Sequence, residues 1–151
     1  MDNQDLINTL NKLVETCKDG EYGFQSCAEH VESLSLRQTF AQRANECRQA
    51  GSELQMMVKA IGGKAEDGGT ASGAVHRGWV AVKGALSGYS DLAMLEECER
   101  GEDAALGRYR KAMEKDLPVD VRALVKRHLD GAQRTHDQIR ALRDRARLAE
   151  V

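Results

Sequence analysis

The sequence has a single proline, one Trp, three Tyr and two Phe among its 151 residues. A sheet protein would need more aromatic and β-branched residues than this, so an all-β or mixed architecture is disfavoured. No apolar run approaches the ~20 residues that cross a bilayer. The opening Met1-Asp-Asn-Gln-Asp5 is polar and acidic, unlike the basic, then apolar start of a secretory signal. A cytoplasmic setting is expected. The net charge of −2 gives no electrostatic basis for binding nucleic acid or an anionic membrane. Arg134, Arg140, Arg143, Arg145 and Arg147 do make the last segment basic, but Asp130, Asp137 and Asp144 are interspersed, as on a solvated helix face. Of the four cysteines, Cys17, Cys27, Cys47 and Cys98, no two form a Cys-x-x-Cys, and reduced thiols are expected. No Gly-rich phosphate loop, nucleophile elbow or zinc spacing is present.

What is present is apolar spacing at helical period. The length suits one domain, 1–151. Leu6, Leu10, Leu13, Cys17, Phe24, Ala28 and Val31 make a first stripe. Ser35 and Gln38 form a capping-box pattern that predicts the start of a second helix, carrying Phe40, Ala44, Cys47, Leu54, Val58 and Ile61 and stopped at Gly62-Gly63. Lys64–Gly69 reads as a surface loop. A third helix is predicted from near Thr70 through Val75, Trp79, Val82 and Leu86, interrupted at Ser87-Gly88 and resumed through Leu92, Leu95, Leu106, Tyr109 and Met113. Trp79, after His76-Arg77-Gly78, is expected to anchor this crossover on the bundle, with an interface contact as the rival. Pro118 ends the third helix and pre-sets the fourth, whose stripe is Val121, Val125, Leu129, Ala132, Ile139 and Leu142. The expected fold is therefore an all-α four-helix bundle: two antiparallel hairpins, a long crossover and a broken third helix.

An internal repeat supports the two-hairpin division. Cys17-Lys-Asp-Gly20-Glu21 recurs as Cys98-Glu-Arg-Gly101-Glu102, and at the same offset Cys47 corresponds to His128. Both repeats place a carboxylate on an apolar stripe, and Glu99 interrupts the series from Leu95 to Leu106 in the same way. A carboxylate on a core face costs several kcal/mol unless it is paired, hydrogen-bonded or bound to metal. Folding the hairpins back sets Glu21 level with Cys47. It sets Glu102 between His128, one turn to one side, and His136, one turn to the other. Glu21, Glu102, Cys47, His128 and His136 are thus the candidate metal-site residues, and such donors would suit Fe or Zn. The competing reading makes the two carboxylates members of a buried polar network, Cys47 a small core residue and the histidines ordinary hydrogen-bonding groups. Gly20, Gly51, Gly101 and Gly131 inside helices suggest close helix approach near the middle.

The residues Leu10-Asn-Lys-Leu-Val-Glu-Thr-Cys17-Lys-Asp-Gly-Glu21, His76-Arg-Gly-Trp79 and Cys98-Glu-Arg-Gly-Glu102 resemble those of a bacterial family of small ferritin-like four-helix-bundle proteins of unknown function, over nearly the full length. The wider superfamily resembles rubrerythrins and ferritins, where two helices each give one Glu and two each give Glu-x-x-His. Glu21 and Glu102 match the single-Glu positions. Cys47 and Ala50 stand where that resemblance implies Glu and His, and neither His128 with Gly131 nor Gln133 with His136 gives Glu-x-x-His. The expectation is a non-catalytic bundle with a degenerate metal site and no resident cofactor, with a stress-associated role that only the resemblance suggests. A carboxylate-bridged redox or ferroxidase-like metalloprotein and a helical interaction module are the alternatives, and a homo-oligomer stays open.

Overall fold

The structure is a computed structural model that describes residues 1–69 and 90–149. The expectations for Trp79, His76-Arg77-Gly78 and the break at Ser87-Gly88 lie outside those residues. Among the described residues there are four helices and no strand: α1 Asn3–His30, α2 Leu34–Ala60, α3 Asp91–Met113 and α4 Val119–Ala149. None is long and apolar enough to cross a membrane.

Each boundary has a local cause. Asp2 caps α1, its carboxylate accepting from Asp5 N at 2.8 Å, which satisfies one of the amides a helix start leaves bare. The cap of α2 is Ser33, accepting from Leu36 N at 3.3 Å, and not the predicted Ser35. The shift has a tertiary origin. The Asp91 carboxylate, from the start of α3, accepts from the backbone amides of Glu32 and Ser33 at 2.8 and 3.1 Å and fixes the turn two residues earlier. Gly62, at φ +85, takes the left-handed conformation that ends α2 without a Cβ penalty. The chain from Lys64 to Gly69 then runs as a loop along α1: Asn11 donates to Lys64 O at 2.9 Å and accepts from Glu66 N at 2.8 Å. Pro118 precedes α4, and its carbonyl accepts from Arg122 N at 2.8 Å.

The short turns at 31–33 and 114–118 make α1–α2 and α3–α4 antiparallel hairpins. α1 also packs on α3, whereas α2 and α4 touch only sparsely. Among the described residues the predicted stripes supply the core, which divides in two. One cluster joins the start of α1 to the end of α2 and the α3–α4 turn through Leu10, Leu13, Leu54, Val58, Leu106 and Val125. The other gathers Phe24, Val31, Phe40, Leu95, Cys98 and Ile139 at the opposite end. Polar residues occupy the waist between them.

Candidate functional site

A cavity of about 470 Å³ lies at this waist and is lined from all four helices. Small residues leave it open, Gly20 and Gly23 from α1 and Gly101 and Ala105 from α3. A Cβ on Gly20 would sit 2.8 Å from Cys47 Sγ, and one on Gly51 would sit 3.3 Å from Cys17 Cβ. These two glycines are where α1 and α2 come close. Gly101 would meet nothing within 4 Å, and Gly131 only Arg134 Nη2 at 3.7 Å. The close approach expected at four glycines therefore holds at two.

Arg43 of α2 reaches into the waist along the face it shares with Phe40 and Cys47. Its Nε donates to Glu102 Oε1 at 2.9 Å and its Nη1 to Glu46 Oε2 at 3.2 Å, and the guanidinium carbon lies 5.9 Å from the centre of the Phe24 ring. The side chains of Arg43 and Glu102 are 12% and 2% exposed, so this ion pair is held away from bulk water. Burial works against the Arg43 charge, but facing Cys47 and Glu102 more than offset it and push its pKa up. Burial raises Glu102, with Arg43 pulling the other way. Around the pair, Cys17 Sγ and Tyr109 Oη are 3.2 Å apart. Burial pushes the Cys17 thiol up to about 11 despite that bond, and burial also raises Cys47 and Tyr109. These groups are neutral at ordinary pH.

His128 of α4 stands edge-on to Tyr109, ring centres 6.4 Å apart, with Nε2 3.4 Å from Glu53 Oε1. Burial lowers its pKa, and Glu53 only partly restores it. A neutral ring donating from Nε2 to Glu53 leaves Nδ1 as an acceptor. Both His128 Nδ1 and Glu102 Oε2 are buried without a hydrogen-bond partner among the described residues, and both residues line the cavity.

Three of the five candidate residues therefore meet at the cavity: Glu102, Cys47 and His128. Glu21 does not join them. It is half-buried beside Lys18, 4.0 Å away, and is not part of the cavity lining. The two halves of the pentapeptide repeat thus diverge, since α1 turns Glu21 outward while α3 turns Glu102 in. His136 also points elsewhere. Its Nε2 is 2.5 Å from Asp103 Oδ1, and with Glu99 these residues offer three ligand atoms within 4.8 Å of one another on the α3–α4 seam. Arg143 forms an ion pair with the same Glu99 and Arg140 lies 3.6 Å from it. Arg43 and Asp103 were not among the sequence candidates. Arg43 had a signal, one cation within the Phe40–Ala44–Cys47 face; Asp103 had none, being exposed and off the stripe.

The pattern of a domain of unknown function, DUF2383, matches residues 5–115, and the chain belongs to that family. No curated protein matches the sequence. Solved structures are similar in fold. A C-terminal deletion mutant of Mycobacterium smegmatis Dps is 15% identical with a TM-score of 0.76, over 93% of this chain and 99% of that one. The bacterioferritin-related protein from Bacteroides fragilis, a dodecameric thioferritin, is 18% identical with a TM-score of 0.77, over 99% and 91%. The tetragonal form of M. smegmatis Dps is 14% identical with a TM-score of 0.75, over 92% and 86%. The fold is ferritin-like.

Proposed function

We propose that this DUF2383 chain is a non-catalytic ferritin-like bundle that binds a small organic molecule at its waist in place of a dinuclear metal centre. The observation that supports this reading is Arg43. Bundles with a dinuclear centre surround it with inward-facing carboxylates and histidines whose negative charge calls for cations. Here the cation is a side chain, donating to Glu102 Oε1 at 2.9 Å. A metal ion at Glu102 would face a guanidinium at close range in a poorly screened interior. Cys47 and Ala50 stand where α2 would supply Glu and His, and the α2 carboxylates that do line the cavity, Glu46 and Glu53, are engaged by Arg43 and by Arg127 and His128. The residues do not fit a dinuclear iron site. The unpaired acceptors, Glu102 Oε2 and His128 Nδ1, favour a ligand with an apolar body and an O–H or N–H donor, and a cavity of about 470 Å³ lies within the usual range for small-molecule sites. In this reading residues 1–151 act as one unit in the cytoplasm and assemble with further copies, as the thioferritin does.

Two measurements test it. Protein purified without chelator should carry less than stoichiometric metal and oxidise Fe²⁺ in air no faster than buffer. Indole or phenol should bind by calorimetry, and binding should be lost in Gly23→Leu and Gly101→Leu, positions where an added Cβ meets nothing within 4 Å. Two metal ions per chain, with iron oxidation abolished by Glu102→Ala, would overturn the reading.

A second reading has its own observation, the Glu99–Asp103–His136 convergence. Three protein donors of this kind suit a single Zn²⁺, provided the ion displaces Arg143 from Glu99. Zinc binding one per chain and lost in His136→Ala would establish it.

A further inference from the structure

Two cysteines lie where the waist cavity meets one of the apolar clusters. Cys27 of α1 and Cys98 of α3 have their sulfur atoms 3.2 Å apart, inside the apolar cluster that also holds Leu95 and Ile139. The other two are engaged differently, Cys17 with Tyr109 and Cys47 against the bare face of Gly20. Both Cys27 and Cys98 line the cavity, so a molecule small enough to enter it can reach their sulfurs although each residue is buried.

We propose that Cys27 and Cys98 are a redox pair that closes to a disulfide, stapling the first hairpin to the second, with hydrogen peroxide as the oxidant. A disulfide holds its sulfurs at about 2.05 Å, so closure needs an approach of only about 1 Å, within the reach of side-chain rotation and a small slide of α1 on α3. One thiolate attacks a peroxide oxygen, breaking the O–O bond and leaving a sulfenic acid with the release of water. The second thiol then attacks that sulfur, forming the S–S bond as the sulfenic oxygen departs as a second water. Two thiols and one peroxide become one disulfide and two waters: the sulfurs lose two electrons and the peroxide gains them. Burial and the adjacent Cys27 push the Cys98 thiol up, which keeps it protonated and slows its oxidation by peroxide as by any other oxidant.

The bond would join residues 71 apart in sequence and close a loop containing α2 and the crossover. A loop of that length strongly restricts the unfolded chain. The inference is independent of the ligand reading, since neither the thiol distance nor the chemistry involves Arg43, Glu102 or His128.

The test uses the full chain, reduced, desalted and treated with hydrogen peroxide, then mapped by mass spectrometry without reduction. A single Cys27–Cys98 link is expected, the mass falling by two hydrogens, with a rise in Tm of about 10 °C that dithiothreitol reverses. Cys98→Ser should abolish the link and leave Cys27 as a sulfenic acid that dimedone traps, while Cys17→Ala and Cys47→Ala should keep the link. Far-UV circular dichroism shows whether each variant is folded, and the wild-type map decides the matter if one is not. Sulfinic acids formed separately on the two cysteines, a link through Cys17 or Cys47, or four thiols still free after peroxide treatment would each overturn the proposal.

Discussion

Arg43 and Glu102 form a buried ion pair, and such a pair can hold its two charges together without adding net stability to the protein. Removing one partner leaves the other uncompensated, whereas replacing both with apolar groups removes the desolvation cost as well. Arg43→Met is therefore expected to cost about 3 kcal/mol, and Arg43→Met combined with Glu102→Leu should recover most of that loss. Chemical denaturation of the two variants and the wild type checks this; equal losses would mean the pair contributes net stability. At this scale the sequence was half legible. Glu102 announced itself by sitting on an apolar stripe. Its equivalent Glu21 did so equally, yet lies half-buried beside Lys18, because a helical spacing constrains which face a residue is near but not how far round it turns. The partner, Arg43, is 59 residues from Glu102, and no local pattern connects them.

The helices themselves were largely written in local signals: the apolar stripes of α1 and α2, the Gly62 stop and Pro118 before α4. The start of α2 was not. A Ser-x-x-Gln pattern pointed to Ser35, but Ser33 caps the helix because a carboxylate from another helix fixes the preceding turn. Ser33→Ala should cost about 1 kcal/mol, while Ser35→Ala, a change inside an established helix, should stay within ~0.5 kcal/mol. Thermal unfolding of the two variants separates the caps. A larger loss at Ser35 would restore the capping box. The same limit applies to Lys64–Gly69, where polar composition indicates a loop but not that Asn11 fastens it to α1.

Across the molecule, a ferritin-like bundle with divided apolar clusters and a polar waist makes stability depend on pH. His128 has its pKa lowered by burial. Above the ordinary histidine value both folded and unfolded chains hold it neutral, and the folded state keeps its full advantage. As pH falls below about 6.5 the unfolded chain takes up a proton that the folded chain does not, and that advantage is lost. Glu53, lowered by the hydrogen bonds from Arg127 and His128 that outweigh its burial, loses its contribution in turn as pH drops through the carboxylate range. Glu102, raised by burial, acts oppositely, its contribution being largest below the ordinary carboxylate value. Stability should therefore decline between pH 7 and pH 5, and His128→Phe should flatten that decline. An unchanged slope in the variant would place the titration elsewhere. The bundle and its hairpin order were legible because helix period and turn residues are local properties. The cavity was not, since it exists only where four helices fail to meet.

The Asp91 carboxylate, which closes the turn between α1 and α2, has a consequence for the order of assembly. The first hairpin cannot complete its own corner, because the group that satisfies Glu32 N and Ser33 N arrives from 59 and 58 residues further along the chain. A nascent chain ending at residue 69 would have both apolar stripes and both caps, yet the two amides at its tip would be left to solvent. Amide exchange at Glu32 and Ser33 should be fast in that fragment and slow in the full chain, and Asp91→Ala should make the full chain exchange there like the fragment. The hairpin tip would then record when the second half of the protein has docked.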